Sequence, residues 1–380
     1  MGKCRQCGRL LYSDGICSAC LIENERNEIL AWSQEEMDAA VRKICNEITV
    51  SGKLDQVWPL FRHLVNYRDV DTTEIARAAF EKQIFYPGEL YKDAPDEVVC
   101  AMIEMLQQDD IQPLLADHLL LCLANHGGEA VVRAFMELEQ HPRKWREKLY
   151  VDPSVYAAEG GWTFDSSNNV IKTNFDRCYP MIEGTMEERA QSPVKICVRT
   201  SDKCTHCGRT MVNLMEFDGR DPRLDFLGIK GVIKAKSCLN CIIKGVMKAK
   251  SYLNRIICPE EHFCRYTIDG ESTVVYEKEP YDAEDQVREE DIEELVSNSY
   301  VLGDAPVPPR YAAGFEGGSS VGGFAFWMQD CEIKRCPECG KPMKYLAQIQ
   351  WDTVLDGSEG NVYIEICRDC KIMAALHQQT

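Results

Sequence analysis

At 380 residues with 45% hydrophobic side chains, the chain can build two or three domains with cores of their own, which excludes a disordered polymer. The 61 acidic and 43 basic side chains leave a net charge of -18, which repels phosphate backbones and anionic membranes and argues against nucleic-acid binding by the whole surface. No stretch approaches the ~20 apolar residues of a membrane span; the longest uncharged run, Gly317 to Gln329, is 13 residues and rich in glycine. The opening MGKCRQCGRL is charged and has no apolar signal core, so the expected location is the cytoplasm, away from membranes.

The first predicted element is a very short zinc ribbon, residues 1–28. CRQCGRLLYSDGICSAC sets Cys4, Cys7, Cys17 and Cys20 as two C-x-x-C knuckles, with Gly8 and Gly15 suited to the turns around them. A helical domain is expected over residues 29–150. Ser33 with Glu36 three residues later is a capping-box signature, and Met37, Ala40, Val41, Ile44 and Ile48 then recur at helical spacing. Further helices are predicted over Asp55–Asn66, Thr72–Phe85, Pro95–Gln108, Pro113–His126 and Gly128–Gln140. Paired, they match the ~40-residue length of a HEAT-type repeat. No repeated signature accompanies that length, so a HEAT-like array and a compact bundle both stand.

From residue 151 to 380 short apolar and aromatic runs broken by Gly, Asp, Asn and Pro predict a mainly β domain. Glu271 to Leu295 holds eleven acidic residues and reads as a solvated connector with one short helix near Glu289 to Ser297. APVPPRYAAGFEGGSSVGGFAFWMQ reads as an exposed loop. The expected class is therefore α+β.

Twenty cysteines in a chain of this size point to metal binding before disulfides. Random placement would give roughly one pair at knuckle spacing, by the cysteine arithmetic used for metal sites, and this chain has six. The β domain carries two further four-cysteine sets: Cys204, Cys207, Cys238 and Cys241, then Cys336, Cys339, Cys367 and Cys370. CTHCGRTMVNLMEF and CPECGKPMKYLAQI share C-x-x-C-G, a basic residue, Met two further on and Leu three after that, an internal repeat. Four thiolates leave no place for an activated water, so three structural Zn2+ sites are expected; iron uses the same geometry, and spacing does not separate the two metals.

Of the remaining cysteines, Cys45, Cys100 and Cys122 are expected to be small buried hydrophobes in the helices. Cys258, His262 and Cys264 in CPEEHFC have untypical spacing for a fourth site. The common catalytic motifs are not found, and His63, His118, His126, His141 and His206 read as core or surface residues, so no enzyme is expected.

One stretch is written twice: Ile229 to Asn240 and Ile243 to Asn254 agree at ten of twelve positions, but the second copy lacks the cysteines. In a ribbon the copies would be the two arms flanking Cys238 and Cys241. Lys230, Lys234, Lys236, Lys244, Lys248, Lys250 and Arg255 make a basic stripe there, which supports a second reading as a nucleic-acid-binding zinc-ribbon protein.

The C-terminal half resembles the YwqG-like family, a bacterial domain of unknown function, over about Val151 to Thr380. The family's G-G-x-P-x-W-x-Q element is matched by Gly322, Gly323, Ala325, Trp327 and Gln329, with alanine where proline is usual. Cys336 to Gly340 and the Leu-x-Gln-Ile strand Leu346 to Ile349 follow, and the CTHC to CLNC segment looks like a zinc-bearing variant of the same family. The resemblance implies a mainly β fold without established catalysis. It also implies an immunity or antitoxin-like role, because some members are encoded beside toxin genes. The expectation is a non-enzymatic zinc-binding interaction protein with a protein partner, possible candidates including a toxin.

Overall fold

Ser33 starts the longest helix of the first unit by the mechanism its spacing predicts. The Ser33 side chain accepts from the Glu36 N–H, and the Glu36 carboxylate accepts from the Ser33 N–H at 2.7 Å. The computed structural model describes residues 2–6, 8, 10–11, 13–149, 153–165, 169–205, 208–239, 262–275, 289–314, 317–355 and 359–379. It forms two units, Met1–Gly160 and Gly161–Thr380.

In the first unit a two-stranded ladder, β1 (Gly2–Lys3) and β2 (Leu10–Leu11), leads into the helices α1 (Ser18–Leu30), α2 (Gln34–Ser51), α3 (Trp58–Arg68), α4 (Thr73–Glu81), α5 (Asp96–Leu106), α6 (Pro113–His126), α7 (Gly128–Gln140) and α8 (Pro153–Glu159). The sequence expects the helices from α2 to α7; α1 and α8 are additions. Ala40, Ile44 and Ile48 of α2 are buried one turn apart, and α2 packs on α3 and α4. Helix α6, PLLADHLLLCLANH, is apolar on most sides and correspondingly central, touching α5, α7 and α8. The Cys122 thiol donates to the Phe85 carbonyl at 3.2 Å. Cys122 is buried as expected, whereas Cys100 is exposed and Cys45 half-buried, because they fall on the outer faces of α5 and α2.

The second unit is built on an eight-stranded antiparallel sheet in the order β10-β9-β15-β14-β13-β12-β5-β11. Its strands are β5 (Cys178–Glu183), β9 (His262–Tyr266), β10 (Ser272–Val274), β11 (Tyr300–Leu302), β12 (Ser320–Gly322), β13 (Lys344–Gln350), β14 (Asn361–Cys367) and β15 (Ile372–Gln378). A three-stranded sheet, β6 (Val194–Lys203), β7 (Thr210–Asp218) and β8 (Val232–Ser237), covers one face. A hairpin, β3 (Trp162–Phe164) and β4 (Val170–Lys172), and the short helices α9 (Met186–Gln191), α10 (Glu289–Val296) and α11 (Trp351–Val354) complete the described elements. Val362, Ile364 and Ile366 of β14 meet Ile196, Leu214, Phe217 and Ile233 of the smaller sheet, with Ile292 and Leu295 of α10, in one core. The Glu289–Val296 helix lies where the acidic connector is expected to turn helical.

The opposite face of β14 is polar, as the two-residue period of a strand requires, and it is also buried. What covers it is the segment after Gly323. Gln348 accepts from the Phe326 N–H at 2.8 Å, and Asn361 and Tyr363 donate to the Phe326 carbonyl at 3.0 and 2.6 Å. The Tyr363 hydroxyl accepts from the Met328 N–H at 2.9 Å, and Glu365 from the Lys334 N–H at 2.8 Å. The expectation of an exposed loop is corrected here. Ser320–Gly322 is an inner strand paired to β5 and β13, and Ser319, Ser320 and Val321 are buried. Gly322 and Gly323 have positive φ, and a Cβ at either would fall 2.3 Å from a carbonyl oxygen, of Arg177 and Pro309 respectively. The glycines therefore serve close backbone packing here, not exposure.

His377 lies on the core face of β15, against Trp351 and Gly360. Burial pushes its imidazole from 6.5 down to about 4, opposed in part by the Glu359 backbone. The unfolded chain therefore takes up a proton that the folded chain resists, and stability falls as pH drops from 6.5 towards 4. His377→Phe should remove this slope, worth at most ~3 kcal/mol, in urea melts of the two proteins across that pH range.

Candidate metal centres

Two turns bring the C-terminal cysteines together. Cys336 and Cys339 lie in the turn before β13, where the Gly340 N–H donates to the Cys336 carbonyl at 2.8 Å and the Cys336 N–H to the Lys341 carbonyl at 2.9 Å. Cys367 ends β14 opposite Ile372 of β15, with Cys370 in the connecting turn. All four Sγ atoms lie within 4.8 Å of one another, and those of Cys339 and Cys367 are 3.8 Å apart. Zinc–thiolate bonds of ~2.3 Å in a tetrahedron give edges of about 3.8 Å, whereas a disulfide holds its sulfurs at ~2.05 Å. The spacing fits a cation cage, and among the described residues no cysteine is in a disulfide.

The environment is graded for thiolates. Burial raises Cys339, but the Lys341 N–H and the thiols of Cys370, Cys336 and Cys367 donate to it, leaving it below the ordinary thiol value. Cys370 is held up by its hydrogen bond to Cys339, and Cys367 is pushed up to about 11 by burial. A cation would displace the thiol protons. Phe263, Met343, Ile372 and Ala374 pack around Cys336 and Cys367 as an apolar shell.

At the N-terminus Cys4, Cys17 and Cys20 have their sulfurs within 4.8 Å, with Cys4 and Cys20 3.8 Å apart; Cys7 lies outside the described residues. The first turn repeats the pattern just described, the Gly8 N–H donating to the Cys4 carbonyl at 3.0 Å with Gly8 at positive φ. The second pair departs from the ribbon expected over residues 1–28. Cys17 is the N-cap of α1, and its sulfur accepts from the Cys20 N–H at 3.5 Å. SACLIENERNEIL is rich in helix formers and continues as helix, so the pair meets the positive end of a helix dipole.

The middle set is described in half. Cys204 follows β6, Cys238 follows β8, and both are buried with Met211; Cys207 and Cys241 lie outside the described residues. That half copies the C-terminal site: the Gly208 N–H donates to the Cys204 carbonyl at 2.8 Å, and the Cys204 N–H to the Arg209 carbonyl at 2.8 Å. Met211 stands as far beyond Cys204 as Met343 beyond Cys336, and each packs on its own cysteines. Val274 packs on the middle cluster and Val275 on the C-terminal one, so the end of β10 stands between them with alternate side chains to either side. This shared strand was not legible in the sequence.

Of the weaker candidates, Cys258 lies outside the described residues, and His262 and Cys264 share a face of β9 without joining a three-ligand cluster among the described residues. The Cys264 thiol is raised by burial and points to the Lys234 carbonyl at 3.9 Å, as a core thiol does. The first copy of the duplicated stretch forms β8, with Lys234 3.7 Å from Glu216 and Lys236 paired to Asp202. The second copy, with Lys244, Lys248, Lys250 and Arg255, lies outside the described residues. No described helix is long and apolar enough to cross a membrane.

No family model and no solved structure matches the chain. It is similar to the uncharacterized protein YpfL of Salmonella typhimurium, with 26% identity over 291 residues, covering 76% of this chain and 64% of that protein. The chain thus spans less than two thirds of its relative's length.

Cys367→Ser should lower the metal content of the purified protein by one equivalent, and Cys100→Ser should leave it unchanged, by elemental analysis. Gly340→Val, forced into positive φ, should cost about 1 to 2 kcal/mol and lower the melting temperature.

Proposed function

We propose that the chain is a non-enzymatic, zinc-stabilised protein-interaction protein of the YwqG-like kind. The observation that carries this reading is the C-terminal cage: four sulfurs within 4.8 Å of one another supply the full ligand set of a tetrahedral zinc, which would leave no open position for substrate or water. The repeated turn at Cys204 and Gly208 extends it to a second zinc held by Cys204, Cys207, Cys238 and Cys241, and the cluster of Cys4, Cys17 and Cys20, with Cys7, to a third. Each such ion binds with ~10 to 16 kcal/mol, comparable to the stability of a domain, so the metals hold the fold and the surfaces do the work.

With a net charge of -18 the natural partner is a basic protein, by electrostatic complementarity that speeds encounter. An immunity or antitoxin-like role against a nucleic-acid-acting toxin is the proposed setting, motivated by the resemblance. The pairing of Lys234 and Lys236 with acids weighs against the nucleic-acid reading.

Co-expression with the product of the adjacent gene tests this directly: co-purification, protection from growth arrest and three zinc equivalents are expected. Lys234→Gln with Lys236→Gln should leave capture of the partner unchanged. Retention on a nucleic-acid column that these two changes abolish, without a protein partner, would replace the proposal with the nucleic-acid reading.

A further inference from the structure

A cleft of about 520 Å³ opens in the second unit, lined by Phe175, Asp176, Arg177, Asp225, Phe226 and Lys344. That volume is in the range of small-molecule sites. Gly322 lies behind two of the lining residues: with no side chain there, the Arg177 backbone and the Phe226 ring close to within 2.3 and 2.7 Å of where a Cβ would stand. Phe175 and Phe226 meet edge to face with centroids 5.5 Å apart, and Phe226 stacks on Tyr179.

The charges in and around this cleft are unbalanced. Lys344 is half-buried with Nζ 4.1 Å from the Phe175 ring centre, and neither it nor Arg177 has an ion-pair partner among the described residues. Asp176 is engaged by Lys172 at 3.0 Å. Arg368, just past the end of β14, stands outside the lining, its Nη1 donating to the Leu227 carbonyl at 3.3 Å. Burial and then repulsion from Arg368 hold the Lys344 ammonium below its ordinary value, against the pull of Asp176. Within the lining Arg177 and Lys344 stand with Asp176 and Asp225, and Lys172 neutralises Asp176 from outside it, which leaves one positive charge in excess beside two aromatic rings.

We propose that this cleft binds an organic phosphate monoester, its dianionic head against Lys344 and Arg177 and its planar body against Phe175 and Phe226. A phosphate monoester carries close to two negative charges near neutral pH, which Lys344 and Arg177 can meet together, and the guanidinium fork of Arg177 suits its oxygens. The site is independent of the zinc reading and would give the chain a small-molecule ligand in addition to its proposed partner.

Calorimetric titration of the full-length protein with phenyl phosphate, inorganic phosphate and benzoate tests it. Phenyl phosphate should bind about tenfold more tightly than either of the others, a difference of ~1.4 kcal/mol. Lys344→Met and Arg177→Gln should each weaken it by about the same factor. Without ligand, Lys344→Met should melt no lower than the parent, because it removes a half-buried unpaired charge; a lower melting point would make Lys344 a structural cation and overturn the proposal. Equal binding of benzoate, equal binding of inorganic phosphate, no binding at millimolar concentration, or indifference to both substitutions would also overturn it.

Discussion

Four sulfurs within 4.8 Å of one another, at the meeting point of two turns, set the central constraint on the second unit. Each turn holds a residue at positive φ, which is free of steric cost for Gly340 in one but strained for Lys371 in the other. Thiolates brought this close repel one another, and a cation between them turns that repulsion into net attraction. A cation there, as proposed, would fix the ends of β13, β14 and β15 together, and those strands are the middle of the sheet.

From that fixed end the rest of the sheet is organised by its two unlike faces. Seven consecutive residues of β14 are buried, which a strand achieves only when both faces are covered. The apolar face meets the three-stranded sheet. The polar face is closed by the segment running from Gly323 to Lys334, whose backbone groups find partners in Gln348, Asn361, Tyr363, Glu365 and Gln378. A buried loop is tolerable only when its backbone is satisfied in this way. Gly322, one of the glycines before that segment, also lets Phe226 and the Arg177 backbone approach closely beside the cleft.

The first unit solves a smaller version of the problem. Its cysteine cluster sits at the start of α1, and the other end of that helix is held by Arg68, whose guanidinium donates to the carbonyls of Ile29, Leu30 and Trp32 at 2.8, 3.0 and 2.7 Å. These carbonyls lie in and just beyond the last turn of α1, and a cation there suits the helix dipole. The N-terminal cluster is thus built onto the helical unit through one helix, and a free-standing ribbon is not needed.

What the sequence determined by itself was local. The capping box at Ser33, the helices from α2 to α7, the knuckle intervals and the glycine after each first knuckle are all set by residues within a few positions of one another, so spacing alone reveals them. Tertiary structure decided the rest. Whether Cys17 turns a hairpin or starts a helix depends on the chain beyond it, and Ser320–Gly322 becomes an inner strand only because β5 and β13 supply partners far away in sequence. The burial of His377, the pairing of Lys236 with Asp202 and the meeting of Lys344 with Phe175 are likewise contacts between distant segments. Periodicity and spacing carry no information on such contacts, because the free energy that selects them comes from burial and complementarity in the assembled fold.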